Sequence, residues 1–415
     1  MKSRLLLAYG SVPKDGGTFT FYRTLRPYLE RRDIETLCVT VGAQQQALWD
    51  DRFADNGCIL LCPKENNLER AAKVFAGWCE DKQVDFVMPI NSFPIIAAVP
   101  HLPTCCHIVG RCANSVDYGY RRALAGWPRV AKVVATTPRH MDDLRSHYGV
   151  EDDHLILIPH GLDPTPFEVS TPETKGTRPE LTIGFIGRFE HNDKGTMFLP
   201  PLAQLLSKRG VPFRMVLAGR GPHEQQLRRA LKTFTSTHQV QFIGSVPPTD
   251  VPAVLRNIDV FVFPSRNEGF GFALVEAMAA GCAVVSSLIP GVTDFVLQDG
   301  ESGLLFPVGD VAAMAQAVEG LHRDRSRLRR LGETARQAVL ERFTAERMGM
   351  AYADLLWELE GAQDPAVTPL TWDKFTKPSD GDSLAGLRRL KAVVPSAVRS
   401  AVRRGLFHAG LSKHF

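Results

Sequence analysis

Short apolar runs alternate along this chain with longer stretches whose apolar positions recur every three or four residues. In the first part the short runs are 5–9, 35–41, 58–62, 86–90, 105–109, 132–136 and 155–158. They are short and bounded by polar turns, so they predict buried strands. Between them, 18–30, 68–82 and 138–147 have helical spacing. A second series opens at 181–186 and continues through 216–218, 240–244, 260–263 and 303–307, with helical runs at 310–322, 324–342 and 345–360. Alternation of this kind predicts an α/β architecture with parallel sheets covered by helices on both faces. Two series predict two doubly wound units facing a cleft, with ligands at the carboxyl ends of the strands.

Pro164, Pro166, Pro172 and Pro179 separate the series and suggest a stiff joint. The resulting plan is a first unit over 1–163, a hinge over 164–180 and a second unit over 181–343. An apolar helix over 344–360, a polar linker over 361–383 and a basic tail over 384–415 follow.

The length of 415 residues suffices for two cores, and 44% hydrophobic with 23% charged residues is ordinary for a globular protein. No apolar run approaches the roughly 18 residues of a membrane span, and the apolar core after Met1 is too short for a signal peptide. The eight cysteines fit no zinc spacing and read as buried, reduced thiols. Net charge is +4, yet residues 384–415 hold seven Lys or Arg and no Asp or Glu, which leaves the body slightly acidic. Leu387, Leu390, Val394, Val398, Val402 and Leu406 form one helical stripe there, split by Pro395, with arginines around it. A basic amphipathic segment over 384–407 is expected to touch anionic membrane. A helix docked on the protein's own first domain or a solvated, disordered tail is the plainer alternative. Nucleic acid is not an expected partner.

Residues 265–276 carry the strongest chemical signal. Glu268 and Glu276 flank Gly269-Phe270-Gly271, and an apolar helical run starts at Phe272, just after the strand 260–263. Glycines let backbone approach a ligand, and the first N–H groups of a helix attract anions. An anion cradle with a carboxylate at each end suits a nucleoside diphosphate sugar.

The E-x7-E spacing, the Gly-Phe-Gly between the glutamates and the Glu-Ala-Met-Ala-Ala-Gly over 276–281 resemble the retaining nucleotide-sugar glycosyltransferases of the GT-B fold, family four. Gly187-Arg188 and Lys194-Gly195, the turn with Gly219 and Gly221, Val240–Gly244 and the strand at 303–307 agree with that family. The resemblance is dense over 181–343 and thin before it. His160 stands where the family often has Asn.

The resemblance implies a GT-B fold with two Rossmann-like domains, the donor on the second and the acceptor, a glycan, lipid-linked or small molecule, on the first, and a helix over 344–360 that crosses back to the first domain. It implies that Glu276 bonds the ribose hydroxyls and that Glu268 faces the donor sugar, with Gly269, Phe270, Gly271 and Phe272 around sugar and phosphate. Gly219 and Gly221 would lie near the nucleotide. Gly16 and Gly17 would form a loop over the diphosphate, or an ordinary strand–helix turn. His107, after a predicted strand, would sit beside the reacting sugar, or be a core histidine. Arg188 and Lys194 are placed to stabilise the leaving diphosphate, so no metal or cofactor is expected, and no Asp-x-Asp motif is present to hold one. The expected activity is retaining sugar transfer in cell-envelope or lipid-linked glycan synthesis, cytoplasmic or peripheral at the inner membrane face. A sugar-nucleotide epimerase and a non-catalytic nucleotide-sugar-binding protein are the rivals.

Overall fold

The computed structural model describes residues 5–11, 17–43, 49, 51–168, 176, 178–360 and 368–378. Thirteen strands form two wholly parallel sheets. The first contains β1 (Leu5–Gly10), β2 (Ile34–Val41), β3 (Cys58–Leu61), β4 (Phe86–Pro89), β5 (His107–Cys112), β6 (Val130–Ala135) and β7 (Leu155–Leu157), in the order β3-β2-β1-β4-β5-β6-β7. The second contains β8 (Leu181–Ile186), β9 (Phe213–Ala218), β10 (Val240–Gly244), β11 (Val260–Phe263), β12 (Ala283–Leu288) and β13 (Leu304–Pro307), in the order β10-β9-β8-β11-β12-β13.

Each sheet is buried on both faces. β4 and β11 are buried at every position because helices cover them from both sides. In the first domain Phe75, Ile95 and Leu144 pack one face, while Tyr22, Leu25 and Leu356 pack the other. In the second, Leu202, Met314 and Leu328 pack one face, while Leu274, Met278 and Val339 pack the other. The strand order reverses between β1 and β4 and again between β8 and β11. At such a switch point the loops diverge and leave a crevice at the carboxyl ends.

Two passages of chain join the domains, and they lie side by side. Leu162 N–H donates to the Phe343 carbonyl and Ala345 N–H donates to the Leu162 carbonyl, each at 2.8 Å. The helix Ala345–Glu360 then lies on the first domain. Tyr352, Leu355 and Leu356 enter its core, Gly349 sits against Tyr28, and Arg32 pairs with Asp354 at 3.0 Å.

The chain range expected to be hinge is partly docked. Phe167 is buried in the second-domain core, and its carbonyl accepts from Arg336 at 3.0 Å. Part of the expected linker is docked as well. Trp372 stacks on His101 with ring centroids 4.2 Å apart, and Leu370 N–H donates to the Pro100 carbonyl. Aromatic side chains at 372 and 375, diluted among Pro and Asp, supply the apolar contact that the averaged polarity hides. The basic tail over 384–415 lies outside the described residues. No helix among the described residues is long and apolar enough to cross a membrane.

Candidate active site

A cavity of about 410 Å³ lies between the two sheets, at the carboxyl ends of β1, β4, β5, β8 and β11. Its second-domain wall is built by two loops that hold each other. After β8, Glu190 caps the short helix His191–Lys194 by accepting from Asn192 and Asp193 N–H at 2.7 and 2.8 Å. Gly195 ends that turn at φ +62°, and an added Cβ would lie 1.9 Å from the Pro264 carbonyl oxygen. Arg266 N–H also donates to the Asp193 carbonyl. The loop after β8 is thereby clamped on the loop after β11, which brings Lys194 to Glu268.

Lys194 Nζ and Ser265 Oγ both donate to Glu268 Oε1, each at 2.7 Å. Glu268 is only 7% exposed, so its charge is held in place by a cation and a hydroxyl rather than by water. It is the sole carboxylate among the described residues lining the cavity. Gly271, at φ +92°, turns the chain into the helix Phe272–Ala279. The backbone of Gly269 to Ala273 lines the cavity, including the first turn of that helix. Glu276 lies one turn further in. Its side chain is half-buried, and desolvation pushes its pKa up to about 7. Among the described residues nothing forms a hydrogen bond or ion pair with it.

The first-domain wall comes from Gly17 and Thr18 after β1, Asn91 after β4, Arg111 at the end of β5, and Tyr118 and Arg122 on the helix Asp117–Ala123. His160 forms part of the floor. Its ring meets Phe272 and Phe270 at centroid distances of 4.5 and 5.1 Å. Nη2 of Arg111 lies 2.9 Å from its Nε2. Arginine only donates, so His160 accepts and is neutral. Burial and the Arg111 charge hold its pKa well below the usual range.

The domains also touch across the cleft. Ser115 Oγ donates to the Glu268 carbonyl at 2.8 Å, and a Cβ on Gly269 would lie 2.2 Å from the Ala113 carbonyl oxygen. Ser115 is held in turn by the fully buried His140. With its own proton given to Glu268, Ser115 accepts from His140 Nε2–H at 3.1 Å, and Nδ1 accepts from Thr136 at 3.1 Å. Burial lowers the His140 pKa to about 4, which keeps this tautomer neutral.

The structure brings Lys194, Glu268, Gly17, Gly269, Phe270, Gly271 and Phe272 to one cavity, with Glu276 just behind. Arg188 is at the rim, exposed, and 3.7 Å from Asp193. Gly219 and Gly221 are not in the lining; each lets its loop press on the 187–189 segment, where a Cβ would meet Gly187 O at 1.9 Å or Phe189 O at 2.4 Å. Gly16 is outside the described residues.

His107 is not in the site. It opens β5 instead of ending it, pairs in register with Phe86 and stacks on that ring at 5.4 Å. At about 3.3 Å per residue the strand carries the chain on the order of 16 Å further before it reaches the cleft. The expected strand ended too early because Arg111 breaks the apolar run. The residues sequence reasoning missed are those past that break: Arg111, Asn114, Arg122, and His160 as a floor residue.

The fold is that of a two-domain GT-B protein, with a glycine turn and a helix N-terminus on the second-domain wall of its cleft. Residues 180–324 match the family glycosyl transferases group 1. Over 249 residues the chain is 30% identical to D-inositol 3-phosphate glycosyltransferase of Nocardia farcinica, which covers 56% of this chain and 54% of that protein. The chain spans about half the length of the curated relatives it matches. Among solved structures, a glycosyltransferase from Rickettsia africae superposes with a TM-score of 0.72 at 15% identity, covering 87% of this chain and 100% of that one. HepE of Anabaena, solved with UDP, gives 0.68 at 16% identity over 85% of this chain and 100% of its own. At these identities the structural likeness establishes the fold.

Proposed function

We propose that the protein moves a sugar from a nucleoside diphosphate sugar, held mainly by the second domain, to a hydroxyl of an acceptor held mainly by the first. The observation that carries this reading is the half-buried, unpartnered carboxylate of Glu276, one turn behind the amides of a helix N-terminus. A buried carboxylate without a partner costs stability. Vicinal ribose hydroxyls would satisfy it by donating two hydrogen bonds, with the diphosphate over the amides of Phe272 and Ala273.

In this reading Lys194, and Arg188 from the rim, meet the charge that grows on the leaving diphosphate, so a divalent metal is not required. Retention is part of the proposal. Among the described residues the cavity offers Glu268 alone, already bound through Oε1, which suits a same-face substitution better than a two-carboxylate displacement. The anomeric carbon–phosphate oxygen bond breaks as the bond to the acceptor oxygen forms, and the acceptor proton passes to the departing phosphate oxygen. A role in envelope or lipid-linked glycan synthesis, cytoplasmic and touching the inner membrane face through 384–407, belongs to the same proposal. It predicts that removing the tail abolishes co-sedimentation with anionic vesicles; equal partitioning with and without the tail would refute it.

The test is to incubate UDP-, GDP- and ADP-sugars with the protein and no acceptor. Slow release of free sugar supports transfer. An isomerised nucleotide sugar would indicate an epimerase instead, and tight binding without turnover a binding protein. UDP is the first nucleotide to try, because HepE holds it in the same fold.

A further inference from the structure

Two arginines on the first-domain wall carry charge that nothing among the described residues neutralises. Arg111 and Arg122 both line the cavity, and neither forms an ion pair. The Nε of each is enclosed by protein without a hydrogen-bond partner. Arg121, the neighbour that faces solvent, pairs with Asp117 at 2.8 Å, and Arg145 pairs with Asp142 and Asp152.

Both guanidinium groups are fixed by neutral contacts. Arg122 lies 5.3 Å from the Tyr118 ring centroid and 5.6 Å from that of Phe93. Its Nη1 donates to Asn91 Oδ1 at 2.8 Å, and Asn91 Nδ2 donates to Thr18 Oγ1 at 3.1 Å. Arg111 sits 3.9 Å over the Phe21 ring and donates to neutral His160. Aromatic rings and amides orient a guanidinium without cancelling its charge. Two such cations in one cleft repel each other, and partly buried charges without counter-ions are costly. A ligand that brings negative charge removes both costs.

The donor diphosphate is not the natural source of that charge. Its expected seat is Gly187, Lys194 and the Phe272 amides on the second domain, with the loop at Gly17 reaching over it from the first. Thr18, Asn91, Tyr118 and Arg122 belong to the opposite wall. We propose that this wall is an oxyanion subsite and that the acceptor carries a phosphate ester or carboxylate seated on it, with Arg122 as its principal contact. Guanidinium forks match both groups in planar, paired hydrogen bonds. The acceptor role rests on the transfer reading above; the anion subsite does not.

The test measures equilibrium binding of glucose 6-phosphate, glucuronate and glucose, with and without saturating UDP. At least one anionic probe should bind at least about tenfold tighter than glucose. Arg122→Gln should abolish that preference, Arg122→Lys should keep part of it, and both should keep the melting profile and UDP affinity of the parent. The anion preferred identifies phosphate or carboxylate. Glucose binding as tightly as both anionic probes, or binding of neither anionic probe, would overturn the subsite. So would a fall in UDP affinity in Arg122→Gln equal to the fall in probe affinity, which would place Arg122 at the donor. Failure of every nucleotide and nucleotide sugar to bind would sink the transfer reading, and the nucleotide-free titrations would still decide the subsite.

Discussion

Glu276 stores a cost that a ligand can release. Its pKa is raised from 4.5 to about 7, so between those values the native protein holds a proton that the unfolded chain has lost. Stability contributed by this site is therefore present at low pH and falls as pH rises through that window. The shift corresponds to on the order of 3 kcal/mol at neutral pH and above. Glu276→Gln removes the titration and keeps the shape. It should raise the melting temperature, more at about pH 8 than at about pH 5, and weaken UDP binding at least about tenfold. Calorimetry and thermal unfolding read the two effects. A variant that loses both affinity and stability would argue for a structural glutamate. Lys194 and Arg188 should separate in the same assays. Lys194→Ala leaves Glu268 buried without its cation, so turnover should fall steeply, whereas Arg188→Ala, exposed and paired on its own loop, should lose less. Equal losses would place Arg188 in the cleft during turnover. The Glu268–Glu276 pair was legible because its spacing spans a strand, a glycine turn and a helix. The Arg111–His160 contact was not, since 49 residues separate its members and neither sits in a motif.

At the scale of elements, strand identity was legible and strand ends were not. Every short apolar run of the first series became a strand of the first sheet, because burial on both faces demands apolar side chains at successive positions. β5 shows the limit. Its apolar run stops at Val109, yet its hydrogen bonding continues through Arg111 and Cys112, because the Arg111 guanidinium lies over the Phe21 ring at the cavity wall instead of in solvent. The segment after β5 has a second consequence. Ser115 joins the first domain to the Glu268 carbonyl and is itself held by His140. Ser115→Ala removes this link and leaves a buried His140 N–H without its acceptor. Turnover should fall by about tenfold or more, with UDP affinity nearly unchanged, because the link acts on where Glu268 sits and not on the nucleotide. Ser115→Thr, which restores a hydroxyl, should recover part of the rate. A parallel loss of UDP affinity, or no recovery with Thr, would refute the positioning role.

At the scale of the molecule, function depends on how two separately cored domains are joined. The sequence revealed the domains through their two series of alternating elements. The family resemblance pointed to the crossover helix over 344–360, but the pairing that fixes it stayed hidden, because prolines at 164–180 draw attention past the place where the chain crosses. The crossing is the pairing of 161–163 with 343–345, and Gly161 is its tightest point: a Cβ there would lie 2.4 Å from the Thr344 carbonyl oxygen and 2.7 Å from the Ala345 Cα. Neither is a flexible side-chain end, so the two passages must separate to admit any side chain. Gly161→Val should therefore break the bonds of Leu162 with Phe343 and Ala345 while leaving the second-domain core, which supports the proposed donor cradle, largely intact. UDP should bind with near-normal affinity, sugar release should fall sharply, and small-angle scattering should show a more extended particle. The prediction fails if the variant keeps both its scattering profile and its turnover. It also fails if UDP binding is lost while the second domain remains folded, since the cradle would then depend on the joint and not on the domain that carries it.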